Sequence, residues 1–337
     1  MTEHELRALG PALRRFLDEF LFCCAYTQTF AHLATYVRGL LADLPRKTVA
    51  PIALHGGTPV RTLQEFLRDH VWDFAHVRAG VQAHTAALLA ALPDTDGLGT
   101  VGLIDETSVV KSGPQTPGVH RQYLDWVGKV AHGIVTVHRG VCKGPFPSLV
   151  DADLFLPESW SQDRRRCRAA GLPDDLVHRP KWQIALEQVE RAVGRGITLD
   201  WLTFDEEYGK SPGFVAGLDQ RRRRFIGEVP RSFSCLAAVK RGTPPPAGAK
   251  GRPAEQVVRT ASVFRGQTWQ VLRLHRPTVA DQVGRGKAAR GWRSSRRGWS
   301  AGTSWLLWAA NDATGEEKFF LPTTPMFSVS RPKRPCK

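Results

Sequence analysis

Apolar residues recur three or four positions apart through the N-terminal part of the chain. Two runs show this spacing: Leu13, Phe16, Phe20 and Cys23, and then Phe30, Leu33, Val37 and Leu40. Residues spaced in this way lie on one face of an α-helix and pack against neighbouring helices. The pattern predicts a helical N-terminal domain over residues 1–95.

A pair of helices joined by a tight turn is predicted between residues 46 and 73. The first helix is expected to stop at Gly56 and Gly57. The second should begin with Thr58 as its N-cap and Pro59 as its first residue. Its predicted inward face consists of Val60, Leu63 and Leu67, and its predicted outward face of Arg61, Gln64 and Arg68. A helix that enters a DNA groove presents such outward side chains, so the pair is predicted to be a DNA-binding helix-turn-helix. An ordinary helical hairpin with solvated basic residues is the alternative.

From residue 100 onward, short β-branched runs are separated by two helical segments. Strands are predicted over residues 100–110, 130–142, 147–157, 197–205 and 224–230, and helices over residues 181–196 and 212–224. The resulting order, β-β-β-α-β-α-β, describes a mixed sheet with helices packed on it. The predicted fold class is therefore α/β, with mixed strand directions.

Residues beyond 232 are rich in proline, glycine and arginine. A linker or exposed loop is expected over 240–255, strands over 257–264 and 268–276, and a β-hairpin over 304–322. The hairpin turn would be built from Asn311, Asp312 and Gly315, because these residue types favour tight turns.

The charge of the chain points to a polyanionic partner. Its 337 residues include 47 Lys and Arg against 32 Asp and Glu, which gives a formal net charge of +15. A folded chain this basic is typical of proteins that bind nucleic acid. A membrane surface is the rival partner, but no apolar stretch approaches the ~20 residues that a spanning helix needs.

The cysteines and the N-terminus indicate the cellular compartment. The six cysteines include no C-x-x-C pair, so the sequence predicts neither a zinc site nor a disulfide framework. The N-terminus has no apolar signal-peptide core. A cytoplasmic location is therefore expected.

Two predicted strands end their apolar runs at an aspartate. The segment VGLIDETS, residues 101–108, carries Asp105, and the segment WLTFDEEYG, residues 201–209, carries Asp205. In a β-β-β-α-β order the fourth strand can return parallel to the first and beside it, which would bring the carboxylates about 4.8 Å apart. Like charges that close repel unless a cation lies between them, and Mg²⁺ prefers hard oxygen ligands.

A catalytic interpretation follows from this pairing of carboxylates. Two divalent cations held by carboxylates stabilise the attacking and leaving oxygens of a phosphoryl transfer. A phosphodiester is a suitable substrate for a basic chain with such an acidic site. The alternative is that these acids only form turns or cap helices, as acids at strand ends often do.

Five segments together carry a family resemblance. They are VGLIDETSVVKSGPQTPGVHRQYLDWVGKV (101–130), DADLFLPESW (151–160), RPKWQIALE (179–187), WLTFDEEYG (201–209) and RFIGEVPRSF (224–233). In order and spacing, within residues 13–322, the chain resembles the DDE-type transposases of bacterial insertion sequences, with the seven-oh-one group the most similar. The resemblance implies an RNase H-like catalytic core that cuts DNA at transposon ends and joins the freed 3′-OH to a target. It also maps the first two acids of the family to Asp105 and Asp205, as catalytic residues and ligands of Mg²⁺ or Mn²⁺.

The same resemblance divides the chain into four parts. These are a helical DNA-binding domain over 1–95, an RNase H-like core over 96–231, a β-rich basic insertion over 232–322, and an aberrant tail over 323–337. The implied partner is double-stranded DNA at the transposon ends and the target, with no membrane involved. Transposition implies two protomers, a homodimer, that bridge two ends in the bacterial cytoplasm, at the nucleoid.

The family places its third acid, a glutamate, on a helix after the hairpin. Residues 323–337 match nothing expected there, and Glu316 and Glu317 lie too early. Glu206 and Glu207 directly follow the second aspartate and cannot replace a residue from another element. The chain is therefore expected to be C-terminally truncated, to lack the catalytic glutamate, and to bind DNA and a metal ion while cleaving poorly. The alternatives are a non-catalytic DNA-binding truncated transposase, acting as a repressor or an inactive remnant, and a nuclease without strand transfer.

A basic, glycine-rich segment over residues 284–299 is the strongest candidate for gripping DNA. Its cations are Arg285, Lys287, Arg290, Arg293, Arg296 and Arg297. Trp292 and Trp299 lie among them, and arginines suit phosphates while aromatic rings stack on unpaired bases. Lys181, at the start of a predicted helix, could reach a phosphate, although a surface lysine is the alternative.

Overall fold

The computed structural model describes residues 3–237, 256–257, 264–276, 279–295 and 298–324. The chain divides into two compact units, Met1–Leu88 and Leu89–Lys337. The predicted linker over 240–255, most of the predicted strand over 257–264, and Arg296, Arg297 and nearly all of the predicted tail lie outside the described residues.

The N-terminal unit is helical, as its apolar periodicity predicts. Its helices are α1 (Glu3–Asp18), α2 (Thr27–Leu41), α3 (Val49–His55), α4 (Val60–Asp69) and α5 (Phe74–Ala91), with a 3-10 turn at Leu21–Cys23. The core of the unit contains Phe20, Ile52, Leu63 and Phe66. Burial of these apolar side chains stabilises the short helices α3 and α4, which would be marginal in isolation.

The predicted start of α4 is wrong by one residue. The helix begins at Val60, and Pro59 is its N-cap with an extended ψ of 134°. Thr58 instead belongs to the turn that closes α3, because its backbone N–H donates to the carbonyl of Ala53 at 2.9 Å. The predicted stop of α3 is confirmed, since Gly56 is its C-cap.

The inward face of α4 is also shifted from the prediction. Leu63 and Phe66 are fully buried, whereas Leu67 is 40% exposed. A helix turns about 100° per residue, so a face centred on Leu63 and Phe66 leaves Leu67 at its edge. The predicted outward residues Arg61, Gln64 and Arg68 are exposed.

The second unit contains the remaining helices and the strands. Its helices are α6 (Glu158–Gln162), α7 (Arg164–Ala169), α8 (Lys181–Gly194), α9 (Glu206–Gly209) and α10 (Pro212–Gln220), with a 3-10 turn at Asp125–Val127. Its strands are β1 (Val101–Val110), β2 (His120–Leu124), β3 (Lys129–Lys143), β4 (Phe146–Leu154), β5 (Trp201–Phe204), β6 (Phe225–Val229), β7 (Ser234–Ala237), β8 (Gln256–Val257), β9 (Gln270–Arg276), β10 (Val279–Ser295), β11 (Gly298–Asn311) and β12 (Glu317–Pro322). The predicted mixed α/β class is confirmed.

β1 lies inside the sheet, between an antiparallel and a parallel neighbour. It pairs antiparallel with β3 on one side and parallel with β5 on the other, and β6 continues in parallel beside β5. The predicted parallel return of the second acid-bearing strand beside the first is therefore confirmed. The crossover contains α8, whose residues Ile184, Leu186 and Val189 are buried in one cluster with Ile104 and Phe204.

The strands that follow β6 extend the same sheet. β12 pairs antiparallel with β6, and β11 and β10 follow in order. The predicted hairpin over 304–322 is confirmed, and its turn depends on Asn311, whose Oδ1 accepts a hydrogen bond from the Ala313 amide at 2.9 Å. Gly315 has a φ of 70°, which a side chain would disfavour.

A glycine in α9 allows that helix to lie directly against β6. A Cβ added to Gly209 would lie 1.8 Å from the carbonyl oxygen of Glu228, a backbone atom that cannot rotate away. Because α9 begins immediately after Asp205, this close approach also determines where that aspartate lies.

We expect Gly209→Ala to lower the free energy of unfolding by about 1–3 kcal/mol, the usual range for overpacking. Gly194→Ala is the matched control, because a Cβ at this helical position meets nothing within 4 Å. Alanine there should be neutral or stabilising by up to about 1 kcal/mol. Urea unfolding of the two variants measures the difference, and equal stability of both would contradict the close contact.

Candidate active site

The register of the parallel pair places the two predicted acids at matching positions. The last paired residues of β1 and β5 are Ile104 and Phe204. Asp105 and Asp205 each come next, and adjacent strands are about 4.8 Å apart. Side chains alternate along strands, so both aspartates lie on the face opposite the buried Ile104 and Phe204. The structure thus brings these two predicted site residues together.

Backbone amides hold both carboxylates in place. The Glu106 amide donates to Asp105 Oδ1 at 2.7 Å. Asp205 is the N-cap of α9, and its Oδ1 accepts from the amides of Glu207 at 3.1 Å and Tyr208 at 3.4 Å. Asp205 therefore caps α9, and its predicted role as a metal ligand stays a prediction. Within the described part of the chain these hydrogen bonds use Oδ1 of each aspartate, so Oδ2 is available to a ligand.

The two carboxylates repel each other. The pKa of Asp205 is raised mainly by partial desolvation of its carboxylate, although the residue is still exposed to solvent. The negative charge of Asp105 raises this pKa further, against the lowering effect of the amide hydrogen bonds. A cation between the carboxylates would relieve this repulsion.

The oxygen donors at this position suit a hard divalent cation. No group of three or more His, Cys, Asp or Glu placed to hold a metal is found among the residues that the structure describes. Mg²⁺ needs only one or two carboxylates, because it keeps water molecules and binds substrate phosphates. Asp105 and Asp205 therefore fit such an ion as a two-carboxylate site.

His138 lies beside Asp105 on β3 but has a partner of its own. The two residues are opposite each other in the antiparallel register. The Nε2 atom of His138 is 2.7 Å from the hydroxyl of Thr136. Burial lowers the pKa of His138, and the charge of Asp105 opposes this effect. The histidine is thus a neighbour of the carboxylates.

An open cleft lies next to Asp105. Its volume is about 460 Å³, and its lining includes Leu103, His138 and Leu149. Both leucines are exposed on this face of the sheet. A site on an open sheet face can admit a large substrate such as a nucleic acid duplex.

Glu106 and Lys181 form an ion pair on the opposite face of the sheet. The Glu106 side chain is only 6% exposed, and its Oε2 lies 2.5 Å from Lys181 Nζ. Burial raises the pKa of Glu106, while the neighbouring Lys181 ammonium lowers it. Lys181 also lies 5.5 Å from the centre of the Phe155 ring. This pairing was not predicted from the sequence, where Lys181 was assigned to a DNA phosphate; that DNA contact stays a prediction.

The basic residues of β10 lie on both faces of the strand. Arg285 and Lys287 lie on one face, since residues two apart share a face, and Arg290 lies on the other. The Lys287 ammonium is 4.3 Å from the Trp308 ring and 4.6 Å from the Trp269 ring. These cations therefore contact tryptophans of neighbouring segments.

Arg285 and Arg290 of β10 have side-chain partners as well. Arg285 forms an ion pair with Asp312 at 2.7 Å, and the Arg290 guanidinium lies 5.4 Å from the Trp305 ring. Arg293 belongs to the strand and pairs with Cys235 through the backbone register. The predicted contacts of this segment with DNA stay predictions.

The outward residues of α4 are partly engaged with acids. Arg61 pairs with Glu65 at 2.9 Å, and Arg68 pairs with Asp69 at 2.6 Å. Exposed pairs of this kind contribute little to stability and exchange readily for other anions. Their predicted role in DNA binding, together with that of Gln64, stays a prediction.

Comparison with known families identifies the class of the protein. A family model described as DDE superfamily endonuclease matches residues 19–302, which is most of the chain. The chain therefore belongs to the DDE superfamily endonucleases. Nucleases of this superfamily generally use divalent metals, and its transposases act on DNA. No curated protein matches the chain. Among the described residues, no helix is long and apolar enough to cross a membrane.

We expect Asp205→Asn to raise the free energy of unfolding of the metal-free protein near neutral pH. The raised pKa of Asp205 means that its charged form is disfavoured in the folded state. The charged aspartate therefore destabilises the folded protein. This destabilisation is zero below the pKa of the unfolded state, and it grows as the pH rises to the pKa of the folded state. The gain from asparagine should therefore vanish in acid, while the cap of α9 is kept.

Asp205→Ala is the control for this substitution, because it removes both the charge and the cap. It should be less stable than Asp205→Asn by about 1 kcal/mol, the typical worth of an N-cap. Urea unfolding in the presence of a chelator, near neutral pH and in acid, measures both variants. A loss of stability in Asp205→Asn near neutral pH would contradict the repulsion.

Proposed function

We propose that this protein is a metal-dependent DNA endonuclease of the transposase type, acting through Asp105 and Asp205. The observation that carries the proposal is the in-register parallel pairing of β1 and β5, which sets the two carboxylates side by side. The RNase H-like core implied by the family resemblance is supported by the same pairing. The reaction would be cleavage and strand transfer at transposon ends.

In this proposal the carboxylates of Asp105 and Asp205 would hold Mg²⁺ or Mn²⁺. When bound, such a cation stabilises charge on the oxygens of the scissile phosphodiester. The amides of Glu106, Glu207 and Tyr208 orient the carboxylates before the substrate arrives. The open cleft beside Asp105 gives the DNA backbone access to them.

The number of carboxylates leads us to propose that DNA cleavage by this protein is slow. Among the described residues, Asp105 and Asp205 are the two carboxylates proposed as ligands, and two carboxylates leave at least one ion of a two-metal phosphoryl transfer short of a ligand. Such a protein would bind DNA more effectively than it cuts it.

A second candidate function is DNA binding without cleavage. The observation that favours it is that the described segments contain no group of three acids, histidines or cysteines placed to hold a metal ion. A transposase relative of this kind would occupy transposon ends and repress a complete enzyme. The helix-turn-helix residues Arg61, Gln64 and Arg68 and the β10 cations Arg285, Lys287 and Arg290 are the proposed DNA contacts, since all of them lie at least partly exposed.

Cleavage of supercoiled plasmid in Mg²⁺ or Mn²⁺, together with a gel shift on linear duplex, tests the proposal. We expect slow nicking by the unmodified protein and at least a roughly ten-fold loss in Asp105→Asn, because an essential metal ligand is removed. Asp174→Asn is the matched control, since this exposed aspartate forms only long ion pairs, with Arg168 at 3.5 Å and Arg164 at 3.6 Å. It should nick at the original rate.

The gel shift separates the two candidate functions. Both variants should bind duplex as the unmodified protein does. Nicking that persists in Asp105→Asn would contradict the assigned site. Duplex binding with no nicking in either metal would instead support the non-catalytic candidate.

A further inference from the structure

Glu106 and Tyr208 connect the segments that carry the two aspartates. Glu106 follows Asp105 and holds its carboxylate through the backbone amide. Tyr208 lies in α9 and donates its amide to Asp205. The side chains of both residues turn away from the open face of the sheet and into the protein, where Tyr208 is 2% exposed. Each residue thus touches one aspartate and extends into the same core.

Two polar atoms of these side chains are buried without a partner. Among the described residues, neither Glu106 Oε1 nor the Tyr208 hydroxyl has a hydrogen-bond partner. One is an acceptor and the other a donor, and leaving both unpaired in a core is unfavourable. The pairing of these two atoms with each other would satisfy both.

Lys181 fixes which oxygen of Glu106 remains for this contact. Its ammonium donates a hydrogen bond to Glu106 Oε2 at 2.5 Å, so Oε1 is the oxygen that remains available. The Tyr208 ring packs against Phe214 with 5.3 Å between ring centres, which restrains the direction of its hydroxyl. A tyrosine hydroxyl carries its proton near neutral pH, so it can act as the donor.

We propose that Tyr208 is a positioning residue whose hydroxyl donates a hydrogen bond to Glu106 Oε1 and so fixes the spacing between Asp105 and Asp205. This inference rests on the proposed function, in which the two aspartates share a divalent cation. The hydrogen bond would join β1 to α9 directly behind the carboxylates. The hydrogen bond would thereby affect metal affinity from the buried side of the site, because groups that hydrogen-bond near metal ligands commonly orient those ligands.

The hydrogen bond is tested first without metal, by a double-mutant cycle on urea unfolding. The variants are Tyr208→Phe, Glu106→Ala and their combination. Tyr208→Phe removes only the hydroxyl and keeps the aromatic ring that packs in the core. If the two groups bond, the double variant should change the unfolding constant by much less than the product of the two single changes. Full independence of the two changes would overturn the proposal.

Mn²⁺ affinity, measured from the electron paramagnetic resonance signal of free Mn²⁺, tests the positioning role. Tyr208→Phe should weaken binding about 10-fold or more, the usual effect of losing a group behind a metal ligand. Tyr123→Phe is the matched control, because it removes the same hydroxyl from a tyrosine that is 56% exposed. Glu106→Gln keeps an acceptor oxygen and should stay near the original affinity, whereas Glu106→Ala should resemble Tyr208→Phe.

These measurements keep the two proposals apart. If the unmodified protein binds no Mn²⁺, the proposed metal site fails, and the unfolding cycle alone decides whether the hydrogen bond exists. If the unmodified protein binds Mn²⁺ and Tyr208→Phe binds it equally well, the metal site survives and the positioning role is overturned.

Discussion

The parallel pairing of β1 with β5 is the constraint on which the rest of the site depends. Residues Ile104 and Phe204 pair at the end of β5, and each is followed by an aspartate. A shift of one residue in either strand would turn one carboxylate into the core, because the side chains of a strand alternate between faces. Burial of Ile104 and Phe204 in one cluster with α8 resists such a shift.

This arrangement keeps two like charges close together. Backbone amides offset part of the repulsion, since each aspartate accepts at least one N–H bond. The repulsion that is left lowers the stability of the folded protein, and a bound cation would relieve it. Sites prepared for a metal commonly carry such strain in its absence, and α9, held against β6 by Gly209, keeps the carboxylates from moving apart.

The sequence predicted the elements with strong apolar patterns and missed those without them. β1, β3, β5 and α8 follow from β-branched runs and helical periodicity, and the hairpin from Asn311 and Gly315. β2 was missed because HRQYL is polar, and it exists through its pairing with β3. The inward position of Phe66 rather than Leu67 depends on which helices pack on α4, which periodicity alone does not specify.

The candidate site was predictable only in part, for a similar reason. Strand order is enough to place Asp105 beside Asp205. The ion pair between Glu106 and Lys181 joins residues 75 positions apart, and no local pattern indicates it. The available signal was that Glu106 directly follows the predicted site residue Asp105, because adjacent side chains on a strand face opposite ways. The tryptophans that contact Lys287 likewise come from β11 and the segment before β9.

Diffraction from crystals soaked in Mn²⁺, recorded for its anomalous signal, tests the central claim most directly. We expect one peak between Asp105 and Asp205, about 2.1 Å from an oxygen of each, which is the coordination distance typical of a Mg²⁺-like ion. The peak should disappear in crystals of Asp105→Asn. Carboxylates that lie apart with no ion between them, or an ion bound elsewhere while this position stays empty, would contradict the claim.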